Sequence, residues 1–571
     1  MAKTFLLDKN IRPNIPTGGF RAKAKYVFVL GGVMSGVGKG VTAASLGKIL
    51  SARGFRVNLM KIDPYLNVDA GTMNPVEHGE VFVLDSGLEC DQDMGNYERF
   101  LDQPAVHENY MTSGMVYKYV IDKERALGYN GKCVDPVPYI SAEILRRIEA
   151  ARVKTKAEIT VVEIGGTVGE FQNEIFIEAA RQLKLKDPHG VAFVLVSYLP
   201  IPGKLGEMKT KPTQYAVRTV NSYGVHPDII IARSDRPLDR MRKEKLAFSS
   251  NVPIDQIISA PDVANIYDIP LNFEKDGLST TMLRLLSLKP RQSDLQDWRK
   301  AVEKMKNAES VVKIGMVGKY FKTGDFVLSD AYISVIESLK HAAGSLGKKL
   351  ELDWLSGEDY ETDPKKLKTL SAYDGILVPG GFGTRGVEGI IQSIKFAREN
   401  QIPYFGLCYG MQLAVIEQAR SALKKTKANT TEIDKATPYP VIDILPEQKQ
   451  LMKDKNYGGT MRLGAYPAKL KEGTLAAKAY GTETISERHR HRYEVNPDLI
   501  SELEAGGLIF SGTSPDGVLM EIAELPTKVH PFFLGTQFHP EFKSTPLEPH
   551  PLFLSFIKAV GERARHSRQA K

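Results

Sequence analysis

Residues 31–40 read Gly-Gly-Val-Met-Ser-Gly-Val-Gly-Lys-Gly, and the reading of this stretch decides the fold. Upstream, Tyr26–Leu30 is a compact apolar run; downstream, Thr42–Arg53 is rich in helix formers and stops at Gly54, a residue suited to a helix C-terminus. Strand, glycine-rich turn and helix in that order aim backbone N–H groups at a phosphate, while a lysine reaches it from the side. Lys39 is the candidate phosphate lysine, with Ser35, Gly36, Val37, Gly38, Gly40 and Val41 as the cradle around it. The common phosphate-loop pattern has glycine where this chain has Val33, and Ser or Thr where it has Gly40. Without that hydroxyl, magnesium would need carboxylates from elsewhere. The plainer alternative is a turn that only packs the helix on the sheet.

A chain of 571 residues is long for one core, so two or more domains are expected. The 42% hydrophobic and 25% charged content is that of a soluble globular protein. A net charge of +8 suits an enzyme that handles triphosphates, and no aromatic-studded basic module points to nucleic acid. The longest strongly apolar run, Val191–Leu199, is far short of a membrane span and suits a buried strand. Residues 1–25 contain Lys3, Lys9, Arg12 and Arg21 but no apolar core, which argues against a secretory signal. Asp8 and the prolines argue against an amphipathic transit peptide. Cys90, Cys133 and Cys408 are too few and too scattered for a disulfide framework or a four-cysteine zinc site, so a reducing, cytoplasmic setting is expected.

In the first half, Val57–Met60 runs into Lys61 at the carboxyl end of a buried strand, where parallel sheets place ligands. Ile159–Ile164 carries Glu163 just before Gly165 and Gly166; a carboxylate there is costly unless paired or bound. Glu163 with Asp93, from the acidic cluster Glu89, Asp91 and Asp93, could hold magnesium against nucleotide phosphates, or Glu163 could pair with Lys61. Val191–Leu199 and Asp228–Ala232 complete a parallel-type set, apolar without strict alternation. Between them Lys209, Thr210, Lys211, Pro212, Thr213 and Gln214 form a compact anion grip that Lys245 could join; a solvated charged loop is the alternative.

Gln296–Lys306 has helix formers but little apolar face beyond Trp298, Val302 and Met305, and reads as a linker helix. The strands then recur: Val311–Val317, Leu350–Leu355, Gly375–Val378, Pro403–Leu407, Leu508–Ser511, Val518–Ile522 and Phe532–Gln537, separated in part by helical intervals Ser329–His341 and Val387–Glu399. Gly406-Leu407-Cys408-Tyr409-Gly410 puts a cysteine at a tight strand-to-helix elbow, where the helix N-terminus favours the thiolate. Pro379–Gly383 is a second glycine-rich strand end that could offer N–H groups to an oxyanion. In Gln537-Phe538-His539-Pro540-Glu541, residues i and i+2 of an extended segment face the same way, so His539 can act as base with Glu541 orienting it. The basic run Arg488–Tyr493 suits contact with an anionic ligand or with the other domain; its arginines oppose a metal ion.

A Cys-His-Glu amide hydrolase fused to an ATP-using domain suggests glutamine-derived ammonia delivered to an ATP-activated acceptor. The chain resembles the glutamine-hydrolysing CTP synthase family from Tyr26 to Gly561. The matching blocks are Gly31–Gly40, Lys61–Met73, His78–Val83, Glu163–Gly169, Lys209–Gln214, Pro379–Gly389, Gly406–Gln412, Gly458–Ala465, Arg488–Asn496 and Gln537–Glu541. The resemblance implies an α/β chain: a P-loop-like parallel-sheet synthetase (amidoligase) domain over 26–288, a linker over 289–310 and a class I glutamine amidotransferase domain over 311–561. Residues 1–25 would then be an N-terminal extension and 562–571 a basic tail. It also implies conversion of UTP, ATP and L-glutamine to CTP, ADP, phosphate and glutamate. By position, Lys39 and Lys61 would contact ATP, Asp93 and Glu163 would hold Mg2+, and Lys209, Thr210, Lys211, Gln214 and Lys245 would bind UTP. Cys408, His539 and Glu541 would be catalytic, Gly381 would serve the oxyanion hole, and Gln412, Glu432 and Arg492 would hold glutamine. His78 and Val81 would border the ammonia passage. GTP activation, CTP feedback inhibition and a homotetramer are further implications, with filaments as another assembly of the family.

The chain departs from the family's pattern at Asp135 and Tyr139, where a glutamine and a histidine are usual, and at Gln172, usually acidic; both bear on CTP feedback. Tyr409 stands where many relatives have leucine. Two other readings compete: an amidoligase acting on a carboxylic acid, and a nucleotide-regulated filament scaffold with reduced catalysis.

Overall fold

The computed structural model describes residues 24–74, 78–203, 206–292, 294–319, 322–323, 326–327, 329–444 and 461–569. The expected N-terminal extension lies outside them except for residues 24 and 25, as do residues 458–460 of one matching block and the last two residues of the basic tail. The described residues fall into two compact units, one within the ranges 1–72 and 96–296, the other within 73–95 and 297–571. The second unit thus takes a segment from the middle of the first half of the sequence.

In the first unit, seven strands among the described residues form one sheet: β1 (Lys25–Gly32), β2 (Val57–Asp63), β3 (Tyr110–Thr112), β4 (Ile159–Ile164), β5 (Val191–Tyr198), β6 (Ile229–Ser234) and β7 (Ile257–Pro261). Their order is β3-β2-β4-β1-β5-β6-β7, and every pairing is parallel. The sheet grows from β1 to both sides, so the carboxyl end of β1 is a switch point where open α/β sheets bind ligands. β2 and β4 are buried along their whole length, as the unbroken apolar runs require of strands covered on both faces. β3 and β7 were not expected from the sequence; β3 is only three residues long and β7 lies at the sheet edge.

In the second unit, nine strands among the described residues share a sheet: β8 (Ser310–Gly318), β9 (Lys348–Ser356), β10 (Gly375–Val378), β11 (Tyr404–Leu407), β12 (Arg462–Leu470), β13 (Thr484–His491), β14 (Ile509–Thr513), β15 (Met520–Glu524) and β16 (Phe533–Thr536). The order β9-β8-β10-β11-β16-β15-β14-β12-β13 is parallel as far as β16 and antiparallel beyond it. The central parallel strands bring their carboxyl ends to one edge, and that edge carries Gly380, Cys408 and His539. The expected linker helix Gln296–Lys306 is not a bare connector: Trp298 and Val302 are buried, and Met305 packs on Gly344. One short apolar stripe suffices for docking.

The hairpin Val81–Val83 with Glu89–Asp91 is the contribution of segment 73–95. Arg488 is buried and donates to Asp85 at 2.6 Å, Arg490 donates to Glu89 at 2.8 Å, and Phe82 meets Phe542 edge-on at 4.9 Å. The basic run therefore finds carboxylates from the first half of the sequence, held inside the second unit. These pairs hold Asp85 below the usual carboxylate range: burial opposes ionisation, and Arg488 and then Lys543 outweigh it.

Candidate active sites

The helix after the glycine-rich turn begins at Lys39 and runs to Ala52, three residues earlier than the sequence suggests. Three backbone positions in the turn are left-handed: Val33, Gly36 and Gly38. At Val33, φ is 78°, so the chain keeps the glycine-type bend of the common pattern with a β-branched residue in place of glycine. The turn also passes close to Arg233, since a Cβ on Gly38 would lie 2.5 Å from Arg233 Nη1. Lys39 is buried and folds back over β1, where a Cβ on Gly31 would stand 2.8 Å from its Nζ. Ser35 and Gly36 are exposed on the turn, Val37 and Gly40 are buried, and Val41 is half-buried.

A cavity of about 420 Å³ opens beside the turn, lined among others by Gly38, Val41, Thr42, Arg233, Asp262 and Phe273. Arg233 pairs with Asp262 at 2.5 Å and reaches Val37 O at 3.4 Å. Sequence reading missed Arg233, Asp262 and Phe273. Arg233 could have been found, because it directly follows the apolar run Asp228–Ala232 on the ligand-binding side of the sheet.

At the carboxyl ends of β2 and β4, Lys61 Nζ lies 3.0 Å from Glu163 Oε1 and 3.8 Å from Asp63 Oδ1, all three buried. Tyr97 donates to Glu163 Oε2, and Tyr110 to Asp63 Oδ2 at 2.9 Å. The lysine partner weighed for Glu163 is thus present. Asp93 opens the helix Asp93–Leu101, with its N–H donating to Asp91 Oδ1 at 2.9 Å; Asp93 belongs to the second unit and Glu163 to the first.

The grip at 209–214 closes around a helix start. Thr210 precedes the helix Lys211–Ser222 and accepts from Gln214 Nε2 at 3.2 Å, both side chains being buried, while Lys211 is exposed. Lys209 bonds Glu207 at 2.5 Å, and that hydrogen bond, helped by the charges of Lys209, Arg242 and Lys245, holds the Glu207 carboxyl below its ordinary range. Arg242, 4.0 Å from Glu207, is a further cation that sequence reading did not select.

In the second unit β11 ends at Leu407 and the helix Tyr409–Ser421 begins one residue after Cys408. Cys408 is strained at φ 49°, ψ −96°, and its N–H donates to Thr536 O at 2.6 Å. Small neighbours permit the turn: a Cβ on Gly410 would lie 2.3 Å from Val378 O, and one on Gly406 2.6 Å from Tyr404 Oη. His539 Nδ1 bonds Glu541 Oε1 at 2.7 Å, and its ring stacks on Phe542 at 5.2 Å. Burial alone would push the imidazole down, but Glu541 first and Cys408 second carry it up to about 10. A histidine held protonated beside a cysteine favours the thiolate.

The loop after β10 packs closely on this pair. A Cβ on Gly380 would stand 2.9 Å from His539 Cε1, whereas Gly381 has more room, with Tyr409 Cδ1 3.7 Å away. Gly380→Ala is therefore expected to displace the histidine and lower glutamine-dependent turnover by roughly tenfold to a hundredfold. Steady-state assays with glutamine, compared with ammonium as nitrogen source, check this, and an unchanged glutamine rate would refute it.

Glu432 accepts from the Gly383 N–H at 2.8 Å; burial raises its carboxyl against that bond and the charges of Lys319 and Arg492. Gln412 is buried and donates to Tyr493 O at 3.0 Å. The glutamine-holding candidates thus gather around the Gly383 turn and the Cys408 helix. Lys319 was not anticipated: its ammonium bonds Gly383 O, Phe382 O at 3.2 Å and Tyr409 Oη at 3.0 Å, and burial lowers it to about 8. Tyr409, the departure from the usual leucine, gains a role here, since its hydroxyl also donates to Gly383 O at 2.9 Å.

Two family models match the chain, the CTP synthase N-terminus over residues 25–288 and the class-I glutamine amidotransferase over residues 327–559. A protein from Thermococcus gammatolerans named CTP synthase is 50% identical over 541 residues, covering 94% of this chain and 99% of that relative. One of the same name from Methanothermobacter thermautotrophicus is 48% identical, covering 95% of this chain and 99% of that relative. A solved structure described as the glutaminase domain of Trypanosoma brucei CTPS with bound acivicin is 37% identical, covers 44% of this chain and 94% of that one, and has a TM-score of 0.40. Similarity at this level along nearly the full length of both chains means that the protein belongs to the CTP synthase family.

Proposed function

We propose that this chain makes CTP from UTP, using ATP to activate the pyrimidine and glutamine as the source of ammonia. The observation that supports this best is the pairing, in one chain, of the Lys39 phosphate turn with the Cys408–His539–Glu541 arrangement.

In the second unit, the Cys408 sulfur attacks the glutamine amide carbon. Gly381 offers its N–H to the oxyanion, and Glu432, Arg492 and Gln412 orient the substrate. Protonated His539 gives its proton to the departing nitrogen, and Glu541 holds the ring for that transfer. The C–N bond breaks and ammonia leaves. Now neutral, His539 takes a proton from the water that attacks the glutamyl thioester, the C–S bond breaks, and the electron pair returns to sulfur as glutamate leaves.

In the first unit, ATP lies with its phosphates on the 35–41 turn and its base in the cavity beside Gly38. Lys209, Thr210, Lys211, Gln214 and Lys245 hold UTP. Lys39 and Lys61 balance charge as the γ-phosphoryl group moves to the uracil 4-oxygen. Ammonia adds at carbon 4 and phosphate leaves. Buried Glu163 supplies hard carboxylate oxygen of the kind magnesium takes. Magnesium held there would screen the triphosphate charge.

GTP as allosteric activator, CTP as feedback inhibitor, a homotetramer and a cytoplasmic location complete this reading. Among the described residues no helix is long and apolar enough to cross a membrane. The test is CTP formation from UTP, ATP, magnesium and GTP, with glutamine in one arm and an ammonium salt in the other. CTP is expected in both. No CTP in either arm, from folded protein that binds ATP, would overturn the proposal and favour a carboxylic acid acceptor.

A further inference from the structure

Gln537 lies two residues before His539, and none of the roles above uses its side chain. It is fully buried, its N–H donates to Glu521 O at 2.8 Å, and its side-chain Nε2 lies 3.8 Å from Cys408 Sγ. A buried amide can turn either end towards the sulfur, and only the NH2 end stabilises a thiolate. The surroundings select that end. Tyr493 O can only accept, so Gln412 turns its NH2 group to it at 3.0 Å. The same NH2 group faces Gln537 Oε1 at 3.3 Å. With its oxygen engaged by Gln412, Gln537 presents N–H to sulfur. The orientation thus passes from a backbone carbonyl through two glutamines to the reacting atom.

We propose that Gln537 is a catalytic residue of the glutamine half-reaction that donates a hydrogen bond to the Cys408 thiolate, with Gln412 as the positioning residue that fixes its amide. This rests on the reading of Cys408 as nucleophile. When sulfur gives its electron pair to the amide carbon, the charge it sheds passes to the carbonyl oxygen. When water cleaves the thioester, the C–S bond breaks and the pair returns to sulfur. The Gln537 N–H stabilises sulfur as the thiolate before the first step and after the second, and transfers no proton itself. The titratable and charged groups around His539, the other partner of Cys408, are Glu541 on its own loop and His489 and His491 on β13, with Arg462 on β12 beside those two histidines. These remain unchanged in the variants below.

The experiment measures iodoacetamide alkylation of Cys408 against pH, mapped by mass spectrometry in a Cys133→Ser background, because Cys133 is exposed and would also react. Gln537→Met keeps the side-chain length and removes the donor. Its Cys408 should react roughly tenfold more slowly at neutral pH, the size of one hydrogen bond to a charged group, and approach the wild-type rate at alkaline pH where thiols ionise regardless. Gln412→Met should shift the profile the same way by a smaller factor, because the Gln537 amide is then free to flip; it also carries the test if Gln537→Met fails to fold. Profiles of wild-type shape in both variants, with only melting temperatures lowered, would mean a packing role and overturn the proposal. The underlying reading fails separately, if Cys408→Ala keeps glutamine-dependent CTP formation.

Discussion

Cys408→Ala is expected to cut glutamine-dependent CTP formation by at least roughly a thousandfold, as loss of a covalent nucleophile does. Synthesis from ammonium should stay within about twofold of wild type, because the two chemistries use separate residue sets. The substitution is small and falls at a buried position whose strained backbone is fixed from outside the side chain, by Thr536 O and by the tight approach of Gly406 and Gly410 to their neighbours. Alanine occupies the same turn without sulfur. Chromatographic quantitation of CTP with each nitrogen source is the measurement. Loss of both activities in a folded variant would mean that the two half-reactions are not divided as argued.

Lys39→Ala should act oppositely, lowering CTP formation by roughly a hundredfold to a thousandfold with either nitrogen source, the cost of removing one positioned charge from a transition state. The lysine is buried against Gly31, so its removal also leaves space beside β1, and a modest fall in melting temperature should accompany the kinetic loss. Glutamine hydrolysis without synthesis should survive. Product analysis for glutamate and CTP in the same reaction separates the two effects, and a normal ammonium-driven rate would exclude Lys39 from phosphoryl transfer.

The features legible from the sequence are those written in adjacent residues. A strand, a glycine turn and a helix announce the phosphate site because one stretch of backbone makes the whole motif. The elbow at Cys408 is similarly local, and His539 with Glu541 follows from the alternation of an extended chain. Val33 is instructive: the sequence marks it as a departure from the pattern, while the backbone keeps the left-handed bend that glycine would have made easy. Features built by distant parts of the chain were hidden. Arg233 and Asp262 become partners because β6 and β7 end side by side. Lys319 supports the loop after β10 from the end of β8, and nothing in its neighbours in sequence suggests it. The direction of the Gln537 amide depends on Tyr493 O, a backbone atom whose position is set by a strand pairing with Tyr439–Ile444.

The hairpin of segment 73–95 has a consequence for how such a protein can be taken apart. Two enzymes joined end to end would meet at one peptide bond; here the backbone changes unit after residues 72, 95 and 296. A second-half fragment that starts at residue 297 lacks the carboxylates of Asp85 and Glu89, leaving Arg488 and Arg490 without those partners, and lacks Phe82 against Phe542. Modular exchange of glutaminases between enzymes of this kind must therefore carry the segment Met73–Gly95 as a graft with the swapped half. Domain shuffling by a single recombination point would separate the catalytic histidine's stacking partner from the strand that braces it.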